Sequence, residues 1–390
     1  MPRSPIPNPA RSWSRVDGVD CLRALAILYV LFNHVHLQLL FAHVPWAQHL
    51  PSAFVTALVW QGQRGVQIFF AVSGFLITAT TLRRWNTPVR IRVRDFYLIR
   101  FARIAPLFLT LLAILSLLHL AHLPHFVVSP RVGGLRSALF AALTLRVGLL
   151  EARRGYLPGS WDILWSLSVE ELFYLFFPLV CRLLGRGKGL LIALFAFVVL
   201  GPVARTVLSH GNPVWREYSY LGGMDAIALG CLTALFLSGR RLSPTLIRTF
   251  FICGISLLAF CLCLESVFRK LHLEELGLDM TVVALGACMV IAASAATRWQ
   301  APRALRFLLF YGRRSYEIYL THMFVVVASF AVFLWLGKPL WLVAVLFPAI
   351  IAVSGALGEL VARFYSEPAN LWLRTRFGDE PATLGSVVEQ

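Results

Sequence analysis

An arginine and a histidine stand inside the first long apolar segment of the chain, DCLRALAILYVLFNH, where lipid disfavours both. Arg23 and His34 are eleven residues apart, so on a helix they lie within about 20° of one face and roughly 16 Å apart along the axis. A cation that can hold an anion and a ring that can move a proton therefore share one side of the helix. The alternative is an arginine that reaches back to the membrane surface and a histidine that only packs.

A pair of arginines marks the entrance of another apolar segment, in RDFYLIRFARIAPLF. Arg100 and Arg103 are three residues apart, which makes them neighbours on one helix face. Guanidinium groups in this arrangement can bind phosphate oxygens through paired hydrogen bonds. Membrane topology alone explains the arginines just before them, but the pair at the helix entrance predicts a phosphate-binding site.

Two adjacent glutamates fall within the segment SWDILWSLSVEELFYLFF. Glu170 and Glu171 point about 100° apart on a helix, so one can meet a histidine and the other an arginine, or either can belong to a structural ion pair. The sequence leaves open which of them faces His34. Ser73, in GVQIFFAVSGFLIT, is a candidate nucleophile beside His34, although small residues in membrane helices more often serve close packing.

A weaker set of candidates occurs in RRSYEIYLTHMF. Tyr316, Tyr319 and His322 recur at i, i+3 and i+6 and share roughly one helix face, but tyrosines are common at membrane interfaces. No group of side chains has the spacing of a metal site, so no metal is expected. The seven cysteines contain no CxxC pair, which predicts neither a disulfide framework nor a zinc site.

These residues are set in a chain of 390 residues that is 58% hydrophobic and 14% charged, a composition typical of membrane proteins. Apolar length predicts an all-α polytopic membrane protein with about ten transmembrane helices. Near-continuous apolarity without alternation excludes a transmembrane barrel. The predicted spans cover residues 22–40, 65–82, 104–120, 163–184, 189–208, 219–237, 249–265, 280–297, 316–336 and 340–361.

Two regions between the predicted spans carry further structural signals. Residues 42–60 are apolar but contain Pro45 and Pro51, which predicts an interfacial loop. Residues 131–160 form a long loop with a half-buried piece around ALFAALTLRVGLL. We expect an N-terminal cytoplasmic tail over 1–21, one membrane domain over 22–365 and a C-terminal cytoplasmic tail over 366–390.

The net charge of +17 is distributed in short basic clusters between the apolar segments. This distribution is typical of charge that sets membrane topology, and no motif for a nucleic-acid partner is present. With a cytoplasmic N-terminus, 24 of the 36 Lys and Arg residues fall inside, 11 fall outside and Arg23 lies within a span. The sequence therefore predicts that both termini are cytoplasmic.

Several motifs together resemble the acyltransferase-3 family of integral membrane acyltransferases. They are the arginine and histidine separated by ten residues in DCLRALAILYVLFNH, then GVQIFFAVSGFLI, the Arg100-x-x-Arg103 pair, WSLSVEELFY, SYEIYLTH and the late SEP. These motifs follow the expected order across nearly the whole chain. Ala24, Leu172 and Glu317 depart from the family pattern, which usually has Gly, Gln and a small or apolar residue there.

The resemblance implies transfer of an acyl group, often acetyl, from cytoplasmic acyl-CoA to a hydroxyl of a glycan, a lipid-linked sugar or a small acceptor. Acyl-CoA would be a co-substrate, and no permanently bound cofactor is implied. Matched by position, His34 is the essential histidine, Glu170 is the motif glutamate, and the basic residues linked to the donor are Arg23, Arg100 and Arg103. We therefore expect His34 to act as general base on the acceptor hydroxyl and Glu170 to orient or balance the imidazole.

The resemblance also implies a location in the lipid bilayer of a cell membrane, expected to be the bacterial inner membrane, and a role in modifying cell-envelope polysaccharides. The alternative is a proton-coupled transporter or exporter in which His34 and Glu170 relay protons. Transporters commonly show two related halves with broken helices, and neither is evident in this sequence. The acceptor, the acyl chain length, an acyl-enzyme intermediate and the oligomeric state are left open.

Overall fold

The computed structural model describes residues 16–378 apart from 265, 266, 268 and 269, and within these residues it contains helices and no strand. The helices are α1 (Asp17–Phe41), α2 (Ser52–Val59), α3 (Gly62–Trp85), α4 (Val93–Leu120), α5 (Gly134–Leu143), α6 (Val147–Arg154), α7 (Gly159–Asp162), α8 (Leu164–Leu184), α9 (Gly189–Thr206), α10 (Pro213–Tyr218), α11 (Tyr220–Leu237), α12 (Pro244–Cys263), α13 (Asp279–Thr297), α14 (Arg306–Arg313), α15 (Ser315–Trp335), α16 (Leu340–Val361) and α17 (Glu367–Phe377). Short 3-10 turns cover Pro88–Arg90, Pro130–Val132 and Arg303–Leu305, and a π-helical turn, Ala362–Ser366, joins α16 to α17.

Ten helical stretches of the described chain are long and apolar enough to cross a membrane, so the all-α polytopic prediction is confirmed. The observed helices extend beyond the predicted spans. The helix α4 starts at Val93, eleven residues before the predicted start, because its first turns are polar and escape a search for apolar length. The last stretch continues to Phe377, past residue 366, where the sequence predicted a tail. Residues 1–15 and 379–390 of the predicted tails lie outside the described residues.

The two predicted loop regions contain short helices. Within 42–60, α2 begins directly after Pro51, since a proline is tolerated at the start of a helix but not in its interior. Taken together, α2 and α3 make up one apolar stretch. The long connection between α4 and α8 holds α5 and α6, and three alanines of α5 are buried. This packing agrees with the half-buried piece that the sequence predicted.

The helix α3 occupies the centre of the bundle, packed against α1, α11 and α13. In the apolar stretch formed by α2 and α3, 83% of the 18 residues compared are buried inside the protein, whereas the corresponding share in α12 is 22%. A Cβ atom at Gly74 would lie 1.9 Å from the carbonyl oxygen of Ile227 on α11, so a glycine is required for this close approach. The contact fixes the rotation of α3, and with it the direction of the preceding residue, Ser73.

The two ends of the bundle can be named from the helix order. Since ten crossings is an even number, both ends of the described chain lie at one face, which we call the terminal face; it carries Asp17, Trp85 and Val93. The opposite face carries Phe41, Leu120 and the connection that contains α5 and α6. Which face is cytoplasmic stays a prediction from the charge distribution.

Candidate active site

A cavity of about 130 Å³ lies between α1, α3, α4, α8 and α15. It is closer to the terminal face, because Arg23 and Arg100 lie within about two turns of the helix ends there. Eight of the ten candidate residues line it: Arg23, Ser73, Arg100, Arg103, Glu170, Glu171, Tyr316 and Tyr319. Five separate helices thus bring one set of predicted side chains together. The two histidines are not part of the lining.

Arg23 projects from α1 toward the start of α15. Its Nε donates a hydrogen bond to the Ser315 hydroxyl at 3.1 Å. One terminal nitrogen lies 3.8 Å from an oxygen of Asp20, one turn earlier on α1, which is a long ion pair. The side chain is 16% exposed, so it is largely enclosed by protein while part of its donor capacity is unused.

The α4 arginines pack over aromatic rings. The guanidinium carbon of Arg100 lies 4.5 Å from the ring centroid of Tyr174, and that of Arg103 lies 5.2 Å from the ring of Tyr316. Arg103 also stands 3.4 Å from Glu317, which is only 1% exposed. Both Glu317 carboxylate oxygens lack a hydrogen bond, so this ion pair is loosely made. Stacking holds the two guanidinium groups in place without consuming their N–H donors.

Glu170 bonds to hydroxyl groups and not to a histidine. The Ser73 hydroxyl on α3 donates to Oε1 of Glu170 at 2.5 Å. Tyr174, four residues further along α8, donates to the same oxygen and also lies within hydrogen-bond reach of Ser73. Glu171 is not part of this cluster; it lines the same cavity as Arg100, whose positive charge attracts it. One serine, one carboxylate and one tyrosine therefore form a compact cluster on the cavity wall.

The two histidines contact each other outside the lining of the cavity. His34 Nδ1 lies 2.8 Å from the carbonyl oxygen of Val30 and 3.4 Å from Nε2 of His322, and the ring centroids are 4.9 Å apart. Because a carbonyl oxygen can only accept, Nδ1 of His34 is assigned the proton and Nε2 keeps its lone pair. That Nε2 has no hydrogen-bond partner among the described residues. His322 Nδ1 likewise lies 2.7 Å from the carbonyl oxygen of Tyr319.

The expected contact between Glu170 and His34 is absent from the described residues. Glu170 is turned toward α3, and the side chain beside His34 is His322 from α15. Tyr319 connects the two places, since its ring lines the cavity and lies 5.9 Å from the ring of His322. The histidine pair therefore contacts one wall residue of the cavity without lining the cavity itself.

Sequence reasoning missed three polar residues of this region. Tyr174 lies one turn after Glu170 on the same face, and that spacing could have identified it. Ser166 hydrogen-bonds to the Tyr319 hydroxyl at 2.7 Å, and Ser315 holds Arg23. Neither serine carries a signal in the sequence, because a serine in a membrane helix usually serves packing. Within the described residues, no three metal-binding side chains come together.

A second cavity of about 300 Å³ adjoins the first between α4, α5 and α8. The two cavities share Arg100, Glu171 and Tyr174, and most other residues of the second lining are apolar. Charged side chains thus lie at the junction of a polar space and an apolar one. Such a junction suits a substrate that carries both a charged and an apolar part.

The family model described as an acyltransferase domain matches residues 16–359, which include every side chain of both cavities. The chain belongs to the acyltransferase-3 family. The resemblance expected from the sequence motifs is thereby confirmed. No solved structure is detectably similar to this acyltransferase-3 chain.

Curated relatives of this acyltransferase-3 protein come from bacteria. It is 28% identical over 375 residues to the Bacillus subtilis protein named "Putative peptidoglycan O-acetyltransferase YrhL", covering 90% of this chain and 54% of that one. It is 26% identical over 377 residues to the peptidoglycan O-acetyltransferase OatA of Listeria monocytogenes (90% and 55%) and 24% identical over 367 residues to the O-acetyltransferase OatA of Staphylococcus aureus (90% and 57%). The chain spans about half the length of the curated relatives it matches.

Proposed function

We propose that this protein transfers an acyl group, with acetyl as the expected group, from acyl-CoA to a hydroxyl of a cell-envelope glycan or a related acceptor. The observation that carries the proposal is the convergence of three arginines on one cavity whose wall residue Tyr319 contacts the ring of His322, the partner of His34. Family membership and the names of the relatives support the same class of reaction.

The donor would bind through its phosphate groups to Arg23, Arg100 and Arg103. A guanidinium has five N–H donors, and the protein contacts of these three residues use few of them. Within the described residues, Arg100 makes no hydrogen bond or ion pair; it packs over the ring of Tyr174 and attracts the charge of Glu171 from a longer distance. Arginines with free donors suit phosphate oxygens, which accept paired hydrogen bonds.

His34 would accept the proton of the acceptor hydroxyl at Nε2. The hydrogen bond from Nδ1 to Val30 fixes the tautomer, so the lone pair is already on the unpartnered nitrogen. When the ring becomes an imidazolium, Nδ1–H still has two acceptors, the Val30 carbonyl oxygen and His322 Nε2. Val30 and His322 then take the orienting role that we expected of Glu170. General-base catalysis of this kind typically contributes about 10²–10⁴-fold.

The acceptor and the membrane are proposed from the relatives and the charge distribution. Two of the relatives are named peptidoglycan O-acetyltransferases, so a sugar hydroxyl of the cell envelope is the first acceptor to test. The spans predicted from the sequence assign 24 of the 36 Lys and Arg residues to the side of the two termini, so we propose that the terminal face is cytoplasmic, in the inner membrane of a bacterium. Reporter fusions at positions 5, 185, 242 and 385 should all report the cytoplasm, and an external signal at any of them contradicts this topology.

The central experiment supplies labelled acetyl-CoA to the cytoplasmic side of proteoliposomes and follows the label into a panel of hydroxyl acceptors, including peptidoglycan fragments. The wild type should transfer label. His34→Ala should lose at least about 100-fold of the rate, the loss of one general base, while its dissociation constant for acetyl-CoA stays within about twofold. His43→Ala, on the connection after α1, is the matched control and should transfer normally.

Two results would contradict the proposal in different ways. Full acyl transfer by His34→Ala would contradict the role of His34 as general base, while the proposal that the protein is an acyltransferase would stand. Movement of an unmodified solute across the membrane, without acyl-CoA consumption by the wild type on any acceptor, favours a proton-coupled transporter. The second result would assign the histidine pair to proton relay.

A further inference from the structure

Ser73 uses its hydroxyl differently from three comparable hydroxyls in the membrane helices. Thr81 on α3, Ser116 on α4 and Ser168 on α8 each donate to the carbonyl oxygen four residues earlier, which is ordinary for a hydroxyl in a helix interior. Ser73 donates across the helix boundary to Glu170 at 2.5 Å. Its proton is therefore directed at a carboxylate on another helix.

A third side chain holds that carboxylate in place. Tyr174 donates to the same Oε1 of Glu170 that Ser73 contacts. The ring of Tyr174 lies under the guanidinium of Arg100, which fixes the tyrosine in turn. A hydroxyl bonded to a base that a third group orients is the arrangement of an activated nucleophile.

Ser73 also faces the space assigned to the acyl donor. It is 8% exposed and lines the same cavity as Arg23 and Arg103. The close contact of Gly74 with α11 holds α3 in the rotation that points Ser73 there. Guanidinium groups beside a nucleophile can stabilise the negative charge that develops on a thioester oxygen during attack.

We propose that Ser73 is the nucleophile that receives the acyl group from acyl-CoA, so that the reaction proceeds through an acyl ester on this residue. This inference rests on the proposed function and deepens it. Glu170 accepts the Ser73 proton as Oγ bonds to the carbonyl carbon, the C–S bond breaks, and the proton passes from Glu170 to the sulfur of the departing CoA. The products of this half-reaction are acyl-Ser73 and CoA thiol.

The second half-reaction regenerates the serine. The acceptor hydroxyl attacks the carbonyl carbon of the ester, its proton goes to His34, and the bond from the carbonyl carbon to Oγ breaks. The proton returns to the Ser73 oxygen before the next cycle. The sum is acyl-CoA plus acceptor hydroxyl giving acyl ester plus CoA thiol, with no proton gained or lost.

An acyl-enzyme has a signature that direct transfer lacks, since the first half-reaction is reversible without acceptor. Purified protein in lipid nanodiscs is given acetyl-CoA and isotopically labelled CoA, and the formation of labelled acetyl-CoA is measured. The wild type and His34→Ala should both exchange label. Ser73→Ala should lose the exchange by about 100-fold or more. Thr81→Val, which removes a hydroxyl on the same helix, is the matched control and should exchange like the wild type.

A second measurement covers the case in which Ser73→Ala does not fold. Acetyl-CoA binding by Ser73→Ala at the wild-type dissociation constant demonstrates a folded protein. Independently, His34→Ala incubated with labelled acetyl-CoA should carry a hydroxylamine-sensitive acetyl group on the peptide that contains Ser73, because its transfer to acceptor is blocked. Label on a different residue overturns the inference.

The outcomes separate the inference from the proposed function. Acyl transfer by the wild type without any exchange means direct attack by the acceptor, which overturns the role of Ser73 and keeps the acyltransferase. Exchange that survives in Ser73→Ala and disappears in His34→Ala moves the intermediate to the histidine. A wild type that neither exchanges nor transfers label from acetyl-CoA overturns both proposals together.

Discussion

Arg205 and the three cavity arginines are all enclosed by the helix bundle, but they differ in how completely their donors are used. Arg205 on α9 is 3% exposed, and each of its three nitrogens donates to an acceptor. Nε donates to the Gly277 carbonyl oxygen at 2.8 Å, and one terminal nitrogen donates to the Gly222 carbonyl oxygen. The other terminal nitrogen bonds to Asp225 at 2.7 Å and to Thr281 at 2.5 Å.

The cavity arginines are partnered far less. Arg23 has one hydrogen bond to a hydroxyl and a 3.8 Å contact with Asp20. Arg103 has a 3.4 Å contact with Glu317 that lacks hydrogen-bond geometry. The Arg100 guanidinium packs over the aromatic ring of Tyr174. Burying a guanidinium with unused donors is costly, so these positions are explained best by a ligand that supplies the missing acceptors.

The difference gives a physical criterion for interpreting buried charge in this fold. A charge whose partners are complete stabilises the packing of α9, α11 and α13, whereas one with incomplete partners is available for binding. The criterion predicts opposite effects of substitution: loss of stability at Arg205 and loss of donor affinity at the cavity.

The largest expected effect is at Arg205. Replacing Arg205 with Met leaves Asp225 buried and charged without its partner, which should lower the free energy of unfolding by about 3–5 kcal/mol. Thermal unfolding in detergent measures the loss. The double variant Arg205→Met/Asp225→Asn should recover much of it, because no uncompensated charge remains. If Arg205→Met is as stable as the wild type, Arg205 does not stabilise the fold in the way proposed here.

Arg103 should show both effects. In Arg103→Ala, Glu317 stays buried without its ion-pair partner, so stability should fall by about 1–3 kcal/mol, and acyl-CoA affinity should fall about tenfold or more. Adding Glu317→Gln should restore stability while affinity stays low. Arg103→Lys should recover affinity only in part, since an ammonium cannot form paired hydrogen bonds. Wild-type acyl-CoA affinity in the double variant contradicts the binding role.

Arg100 should affect binding alone. Because it has no ion pair within the described residues, Arg100→Ala should change the unfolding temperature little, while acyl-CoA affinity falls about tenfold, the loss of one hydrogen bond between charged groups. Calorimetric titration of purified protein measures the affinity. Arg92→Ala, at the start of α4, is the control for general loss of positive charge and should bind normally. An equal effect of both substitutions would argue for unspecific charge attraction.

The smallest expected effect is a pH dependence of stability, which extends the comparison to a buried carboxyl group at the opposite face of the bundle. Burial raises the pKa of Glu151 on α6 well above its usual value, and the nearby charge of Asp162 adds to the shift. A raised pKa means that the stability present below the unfolded-state pKa is lost as pH rises toward the folded-state value. The wild type should therefore lose stability as pH rises above about 4.3, the ordinary pKa of a glutamate, toward the raised value in the folded protein, and thermal unfolding measures this loss.

Glu151→Gln is the matched variant for this pH dependence. The amide oxygen can still accept from the Leu157 N–H, which Glu151 now accepts at 2.9 Å, and it cannot ionise. The variant should unfold at a temperature that changes less with pH. A pH dependence equal to that of the wild type would assign the effect to other groups.

The fold was largely predictable from the sequence because lipid imposes a local rule. Each span must be apolar over about 20 residues, so the ten spans could be identified from hydropathy without any knowledge of their contacts. Helix ends were less accurate, as at Val93 and Phe377, since polar turns at a helix end carry no apolar signal. The shared helix face of Arg23 and His34 on α1 was also predictable from the sequence, because helical periodicity alone determines it.

The partners of the site residues could not be predicted in this way, because they come from other helices. Spacing showed that Glu170 and Glu171 diverge, but the close packing of α3 at Gly74 determines that Glu170 meets Ser73. His34 on α1 meets His322 on α15, which lies 288 residues later in the chain. No local pattern could pair the two histidines, because the depth and rotation of each helix are set by its contacts with other helices. Residue types and their spacing thus established which chemistry the chain carries, whereas the packing of α1, α3, α8 and α15 established which groups can act together.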